Sequence, residues 1–178
     1  MYYFFSFLVW SLFSYSIHRA AHIKSKYNPL FKIHLAHHKA QYGKEKDYRF
    51  KWPELKAYFL WFDDLASSLD VWITLILPAI LVSLVLPQSH FTVLALVYFY
   101  EVFLSEHNLD HNPEIKGSIT RILAVGQFHL THHYYPKYNY GLYLTLWDYV
   151  FVTARPNNID HTARLFWQAN TRNEMIGY

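Results

Sequence analysis

Residues 69–86 read LDVWITLILPAILVSLVL, an apolar run with a single charge, Asp70, near its start. A bilayer core takes about 20 helical residues, so this run predicts a membrane-spanning helix. Pro78 stands in its middle and should bend or loosen it, because proline removes one helical hydrogen bond. Pro87-Gln-Ser89 then predicts a tight hairpin into residues 90–104, HFTVLALVYFYEVFL, with Glu101 near the end. Upstream, residues 1–17 carry no ionisable side chain of either sign apart from tyrosine. The first and third stretches are slightly short and recruit flanking residues to span. The expectation is an all-α membrane protein with about three transmembrane helices, 1–17, 69–86 and 90–104. Residues 18–56 and 105–178 would form a cytosolic helical cap, and 1–178 one domain.

Charge gives the orientation. Of sixteen Lys and Arg, ten lie between Arg19 and Lys56 and six between Lys116 and Arg172. By the positive-inside rule the side carrying them is cytoplasmic, in a bacterial inner membrane or the endoplasmic reticulum. The net charge of +3 makes no case for a nucleic-acid partner. With no cysteine, disulfides and thiolate metal sites are excluded. The apolar N-terminus lacks a basic leader and runs directly into His18, which argues against a cleaved signal peptide. Leu55–Phe62, LKAYFLWF, is too short to cross. It reads either as an interfacial helix with its aromatics toward lipid or as a buried stretch of cytosolic helix.

Ten of the twelve histidines fall into four clusters: His18 and His22; His34, His37 and His38; His107 and His111; His129, His132 and His133. The spacings run HxxxH, HxxHH, HxxxH, HxxHH. On a helix, positions i, i+3 and i+4 share a face, so each cluster aims its imidazoles at one point. All four fall on the predicted cytoplasmic side, and all ten are candidate metal ligands. His90 and His161 stand outside the pattern. A structural zinc takes four ligands, whereas two ions sharing ten imidazoles have about five each, leaving room for water or dioxygen. That count favours two iron ions, with zinc as a substitute. Asp110, Glu106, Glu101 and Asp148 are candidates to hold the far ring nitrogens. No serine elbow, phosphate loop or cysteine nucleophile is present, so no catalytic residue beyond the ligands is expected.

The surrounding chain reads as helix and turn. Residues 16–40 should be helical with a break near Asn28-Pro29, and Asn112-Pro113 should end a helix carrying the third cluster. Ile119–Tyr134 should be one helix carrying the fourth, stopped by Pro136. Asn139-Tyr-Gly141 reads as a turn, Leu142–Val152 as an apolar helix or strand, and 155–178 as a polar surface segment.

These boxes, with Asn139-Tyr-Gly141 and the run Trp147-Asp-Tyr-Val-Phe-Val-Thr153, resemble the fatty acid hydroxylase superfamily over His18 to about Arg155. That group includes sterol desaturases, C4-sterol methyl oxidases and sphingolipid hydroxylases. The resemblance implies a helical membrane bundle capped by a dimetal centre. It also implies a dioxygen-dependent di-iron enzyme that hydroxylates or desaturates a fatty acyl, sterol or sphingolipid C–H bond. A separate electron donor, cytochrome b5-like or ferredoxin-like, is implied because no carrier domain is attached. In this resemblance Trp147 and Asp148 brace the cap. Two features depart from the pattern. Such proteins usually have two membrane hairpins, and here the helix before the first box has no upstream partner. Val152 stands where glycine is usual. Three other readings compete: a carotenoid ring hydroxylase, a non-enzymatic metal transporter or metal-binding membrane protein, and a lipid-binding pseudoenzyme, against which the intact histidine boxes argue. A transporter should place its ligands within the spans, near the midplane.

Overall fold

The computed structural model describes residues 1–41, 49–62, 64–86, 91–105 and 108–155. Outside the described residues lie Asp63, the expected hairpin turn Pro87-Gln-Ser89, His90, Glu106, His107, His161 and the tail from 156 onward. Among the described residues there are six helices: α1 (Tyr2–Ala21), α2 (Pro29–Gln41), α3 (Leu65–Val85), α4 (Thr92–Leu104), α5 (Gln127–Tyr134) and α6 (Leu146–Val150). No strand occurs among the described residues, only an isolated antiparallel bridge between Leu123 and Leu144.

α3 is the one described helix long and apolar enough to cross a membrane. α4 is apolar but shorter. α3 starts where the Asp64 side chain accepts the Ser67 N–H at 2.8 Å, satisfying one of the donors a helix start leaves open. Ahead of Pro78 the helix widens into a π turn over Trp72–Ile76, the local loosening that an interior proline predicts. α1 has an inverted pattern. Ser6, Ser11, Ser14 and His18 are buried, while Phe4, Phe5 and Phe13 are exposed. Small buried residues let helix backbones approach closely.

The core joins α1, α3 and α4. Trp10 is fully buried against Leu75, Ile76, Ala79 and Val82 of α3 and Val93 and Val97 of α4. Its indole N–H donates to the Leu75 carbonyl, at 3.0 Å, inside the widened turn. Left unpaired at this depth, that N–H would cost about 1–3 kcal/mol.

The break between α1 and α2 falls where Asn28-Pro29 predicts it. Pro29 opens α2, and the Asn28 amide donates to the carbonyls of Ala20 and Ile23. Other sequence expectations are corrected. Leu55–Phe62 is a single 3-10 turn over Leu55–Phe59, ended by Leu60 in the left-handed region, although Leu55 and Phe59 are exposed as an interfacial segment requires. His111 stands in a series of turns instead of on a helix. There the Asn108 side chain bonds the Lys51 backbone and the Phe103 carbonyl, which offers the chain an alternative to helical pairing. Ile119–Tyr134 is not one helix. A 3-10 turn over Gly117–Arg121 precedes Gly126 at φ 56, and α5 begins only at Gln127. A Cβ on Gly126 would lie 2.3 Å from the Ile115 carbonyl oxygen, so glycine is needed there. Leu142–Val152 is neither helix nor strand throughout, but the bridge at Leu144 followed by α6.

Candidate metal centre

Nine of the ten clustered histidines converge, and the tenth, His107, lies outside the described residues. His18, His22, His34, His38 and His132 form one group, and His37, His111, His129 and His133 a second. Within each group the facing ring nitrogens lie within 4.8 Å of one another. α1 brings His18 and His22 to its C-terminal end. α2 sends His34 and His38, one turn apart, to the first group, and His37 to the second. α5 reverses the allotment, with His129 and His133 in the second group and His132 in the first. Each HxxHH box therefore serves both groups, and the two share a wall.

The outward ring nitrogens set the tautomers. Nδ1 of His18 lies 2.7 Å from the Tyr140 carbonyl, and Nδ1 of His132 lies 2.6 Å from the Tyr138 carbonyl. Nδ1 of His34 lies 2.9 Å from the Asp70 carboxylate. A carbonyl or carboxylate oxygen can only accept, so each of these Nδ1 atoms carries the proton and each Nε2 presents a lone pair inward. The Nε2 atoms of His18 and His34 nevertheless face each other at 3.1 Å. Two lone pairs at that distance repel unless a cation lies between them.

The remaining contacts are similar: His22 to His34 at 3.0 Å, His38 to His34 at 2.9 Å, and His22 to His132 at 2.9 Å. In the second group His133 meets His111 at 2.9 Å and His129 at 3.1 Å. With metal–nitrogen bonds of about 2.0–2.1 Å, ligands at right angles lie about 2.9–3.0 Å apart and tetrahedral ones about 3.3–3.4 Å. The spacings match right-angled ligation, so the donor set fits metal. Burial, then the neighbouring imidazoles, holds the pKa of His38, His132 and His133 well below the ordinary 6.5, and that of His22 at about 3. Neutral imidazole is the form that binds metal.

Asp70 is a carboxylate that backs a candidate ligand, His34, and it is not one of the four acids singled out from the sequence. Its signal was available: a lone charge in an apolar run marks function. Of those four, Glu101 accepts the Tyr143 hydroxyl at 2.6 Å, and Asp110 accepts the Tyr100 hydroxyl. Glu106 lies outside the described residues. Asp148 accepts the Tyr140 N–H, the Gly141 N–H and the Thr153 hydroxyl, each at 2.7 Å. It acts one peptide back from the cage, holding the unit whose carbonyl orients His18. Asn139, at φ 57, donates to the Phe128 carbonyl and accepts the Arg155 N–H. Trp147 donates to Ser11 of α1, and Tyr15 of α1 pairs with Thr153. The 139–153 segment thus straps α5 and α1 together around the first group.

Among the described residues, two adjoining imidazole groups able to hold metal stand beside one helix long and apolar enough to cross a membrane, within an all-helical framework. The chain belongs to the fatty acid hydroxylase family, whose model, Fatty acid hydroxylase, matches residues 3–153. No curated protein and no solved structure matches it. The family is generally one of lipid hydroxylase or desaturase type oxidoreductases, typically membrane-bound and metal-dependent.

Proposed function

We propose that this chain is a membrane-bound, dioxygen-dependent di-iron oxidoreductase that hydroxylates or desaturates a fatty acyl, sterol or sphingolipid C–H bond. The observation that carries the proposal is the packing of nine imidazoles into two abutting groups with right-angled spacings. Iron is the proposed metal, with His18, His22, His34, His38 and His132 holding one ion and His37, His111, His129 and His133 the other. His107 is the proposed further ligand by its spacing from His111. The bound pair supplies reductive activation of dioxygen, with electrons from a separate carrier, cytochrome b5-like or ferredoxin-like.

The protein's own residues do the positioning. Asp70 and the carbonyls of Tyr138 and Tyr140 lock three rings with Nε2 inward. A cavity touching both groups is walled by Phe62, Val71, Leu75 and Leu142. Ser67, Asp70, Thr74, Glu101, Ser105 and Asp110 border the same cavity, and its apolar side is the one proposed to receive the reacting stretch of a lipid. No side chain is required as nucleophile.

The proposed topology has crossings at 1–17, 69–86 and 90–104 within a single domain, with the boxes on the cytoplasmic side. The inverted burial of α1 supports its crossing, since aromatic faces turned outward suit lipid. His18 lies near the end of α1 and Asp70 near the start of α3. The histidines thus gather at one end of the apolar helices and not at their middles, which weighs against a transporter.

The test is iron quantitation on the purified protein, followed by lipid mass spectrometry of cells with and without it. The expected result is bound iron and a lipid changed by one added oxygen or by two lost hydrogens. Protein that takes up no iron and leaves every lipid unchanged would overturn the reading.

A further inference from the structure

Glu101 is a buried carboxylate, 7% exposed, that belongs to neither imidazole group among the described residues. Two hollows meet at it. The inner one is the cavity that touches His18, His34, His37, His111 and His129. The outer one is a groove bordered by Lys51, Trp52, Lys56 and Trp61, all exposed. Phe62, Glu101 and Ser105 line both. Asn108 pins the groove open by accepting the Lys51 N–H at 2.9 Å and donating to the Lys51 carbonyl at 3.0 Å. On the inner side Glu101 accepts the Tyr143 hydroxyl at 2.6 Å, and Tyr143 itself faces the cavity. Tyr143 packs on Tyr100 at 4.2 Å between ring centroids. Tyr100 in turn bonds Asp110, the residue before His111.

The geometry points to Glu101 as the proton relay between the surface groove and the metal cavity. This rests on the proposed oxidation chemistry, which has a proton requirement whichever product forms. Hydroxylation takes RH, dioxygen, two electrons and two protons to ROH and one water. Desaturation takes the same electrons and protons and releases two waters. The electrons come from the separate carrier protein, while the protons must come from water through the protein. A carboxyl group can take a proton on the groove side and release it on the cavity side, and the Tyr143 hydroxyl lies in hydrogen-bond contact to pass it on. No other carboxylate among the described residues lines both hollows.

The test has two arms. The sequence has no cysteine, so single-cysteine variants report cleanly. In purified protein, without turnover, Glu101→Cys should react with 2-aminoethyl methanethiosulfonate at least about tenfold faster than Val97→Cys, one turn away in the sealed core, since thiol reactivity follows access. In the second arm, Glu101→Gln should keep its iron but oxidise lipid about 100-fold more slowly, with a changed solvent deuterium isotope effect and partial rescue by Glu101→Asp. A Glu101→Cys thiol as inert as Val97→Cys overturns the relay. So does a Glu101→Gln enzyme with wild-type rate and isotope effect. Wild-type protein that oxidises no lipid defeats the proposed function instead, and the labelling arm still decides whether the groove reaches Glu101.

Discussion

His38 and His133, from different helices and different imidazole groups, lie with their ring centroids 4.3 Å apart and their planes at 32°. They form the shared wall between the two groups. A wall of this kind would make two bound ions neighbours while leaving each with its own set of imidazoles. The consequence is sharpest at two adjacent residues, His132 and His133, which serve opposite groups. His132→Ala should lower bound metal from about two ions per chain to about one, and His133→Ala should do the same at the other position. Both should abolish lipid oxidation while leaving membrane insertion intact. Elemental analysis of the purified variants checks the count. Retention of both ions by either variant would count against two separate groups.

Asp70 gives a second prediction. It orients His34 through Nδ1, and His34 Nε2 is the atom that meets His18, His22 and His38. Asp70→Asn keeps the shape and removes the charge. Metal affinity should drop about 10–100-fold, the usual consequence of losing the group behind a ligand. Helix content should not change, because α3 is capped by Asp64 and not by Asp70. A chelator-competition titration with circular dichroism on the same samples separates the two effects. Unchanged affinity would mean that His34 is held by packing alone.

The site was more legible in the sequence than the fold around it. Box spacing identified His34 with His38, and His129 with His133, because one helical turn aligns them whatever the surroundings. It could not show that His37 and His132 cross to the other group. That allotment depends on how α2 and α5 face each other. Spacing also misled at the third box, where turns and not a helix carry His111. Side-chain competition from Asn108 is a local effect, but its partner Lys51 is distant in sequence. Gly126 could have been read as the break before α5, since glycine is a helix interrupter and the run around it is otherwise apolar. The crossings were read from composition, and by length and composition only α3 meets the requirement among the described helices.

The turn at Gly141 gives a third prediction. A Cβ there would lie 2.4 Å from the Leu144 carbonyl oxygen and 2.7 Å from Asp148 Oδ2. Neither neighbour can retreat freely, since one is backbone and the other is fixed by three hydrogen bonds. Gly141→Ala should therefore cost about 1–3 kcal/mol, as overpacking does. It should also weaken metal binding at the first group, because displacing the 140–141 peptide moves the carbonyl that orients His18. Thermal unfolding in detergent and metal titration should both respond. A loss of stability without a loss of affinity would cut the link from Asp148 to His18.

Val152 carries the last prediction. It follows the C-terminus of α6 at φ 55, in the left-handed region, and its side chain is 87% exposed. The chain reverses there so that the N–H groups of Thr153 and Ala154 reach the Asp148 carbonyl, at 2.7 and 3.1 Å. Glycine fills this position in most helix endings of this form, and it is the residue the family resemblance expects here. A left-handed conformation costs an L-residue about 1–2 kcal/mol, and a β-branched side chain worsens the crowding. Glycine gives back about 0.5–1 kcal/mol through its greater freedom when unfolded. With almost no packing to lose, Val152→Gly should gain about 0.5–1 kcal/mol and raise the unfolding midpoint by about 1–4 °C. Metal content should stay unchanged, since Thr153, Asp148 and Tyr140 keep their positions. A lowered midpoint would mean that the valine side chain makes a stabilising contact that its exposure argues against.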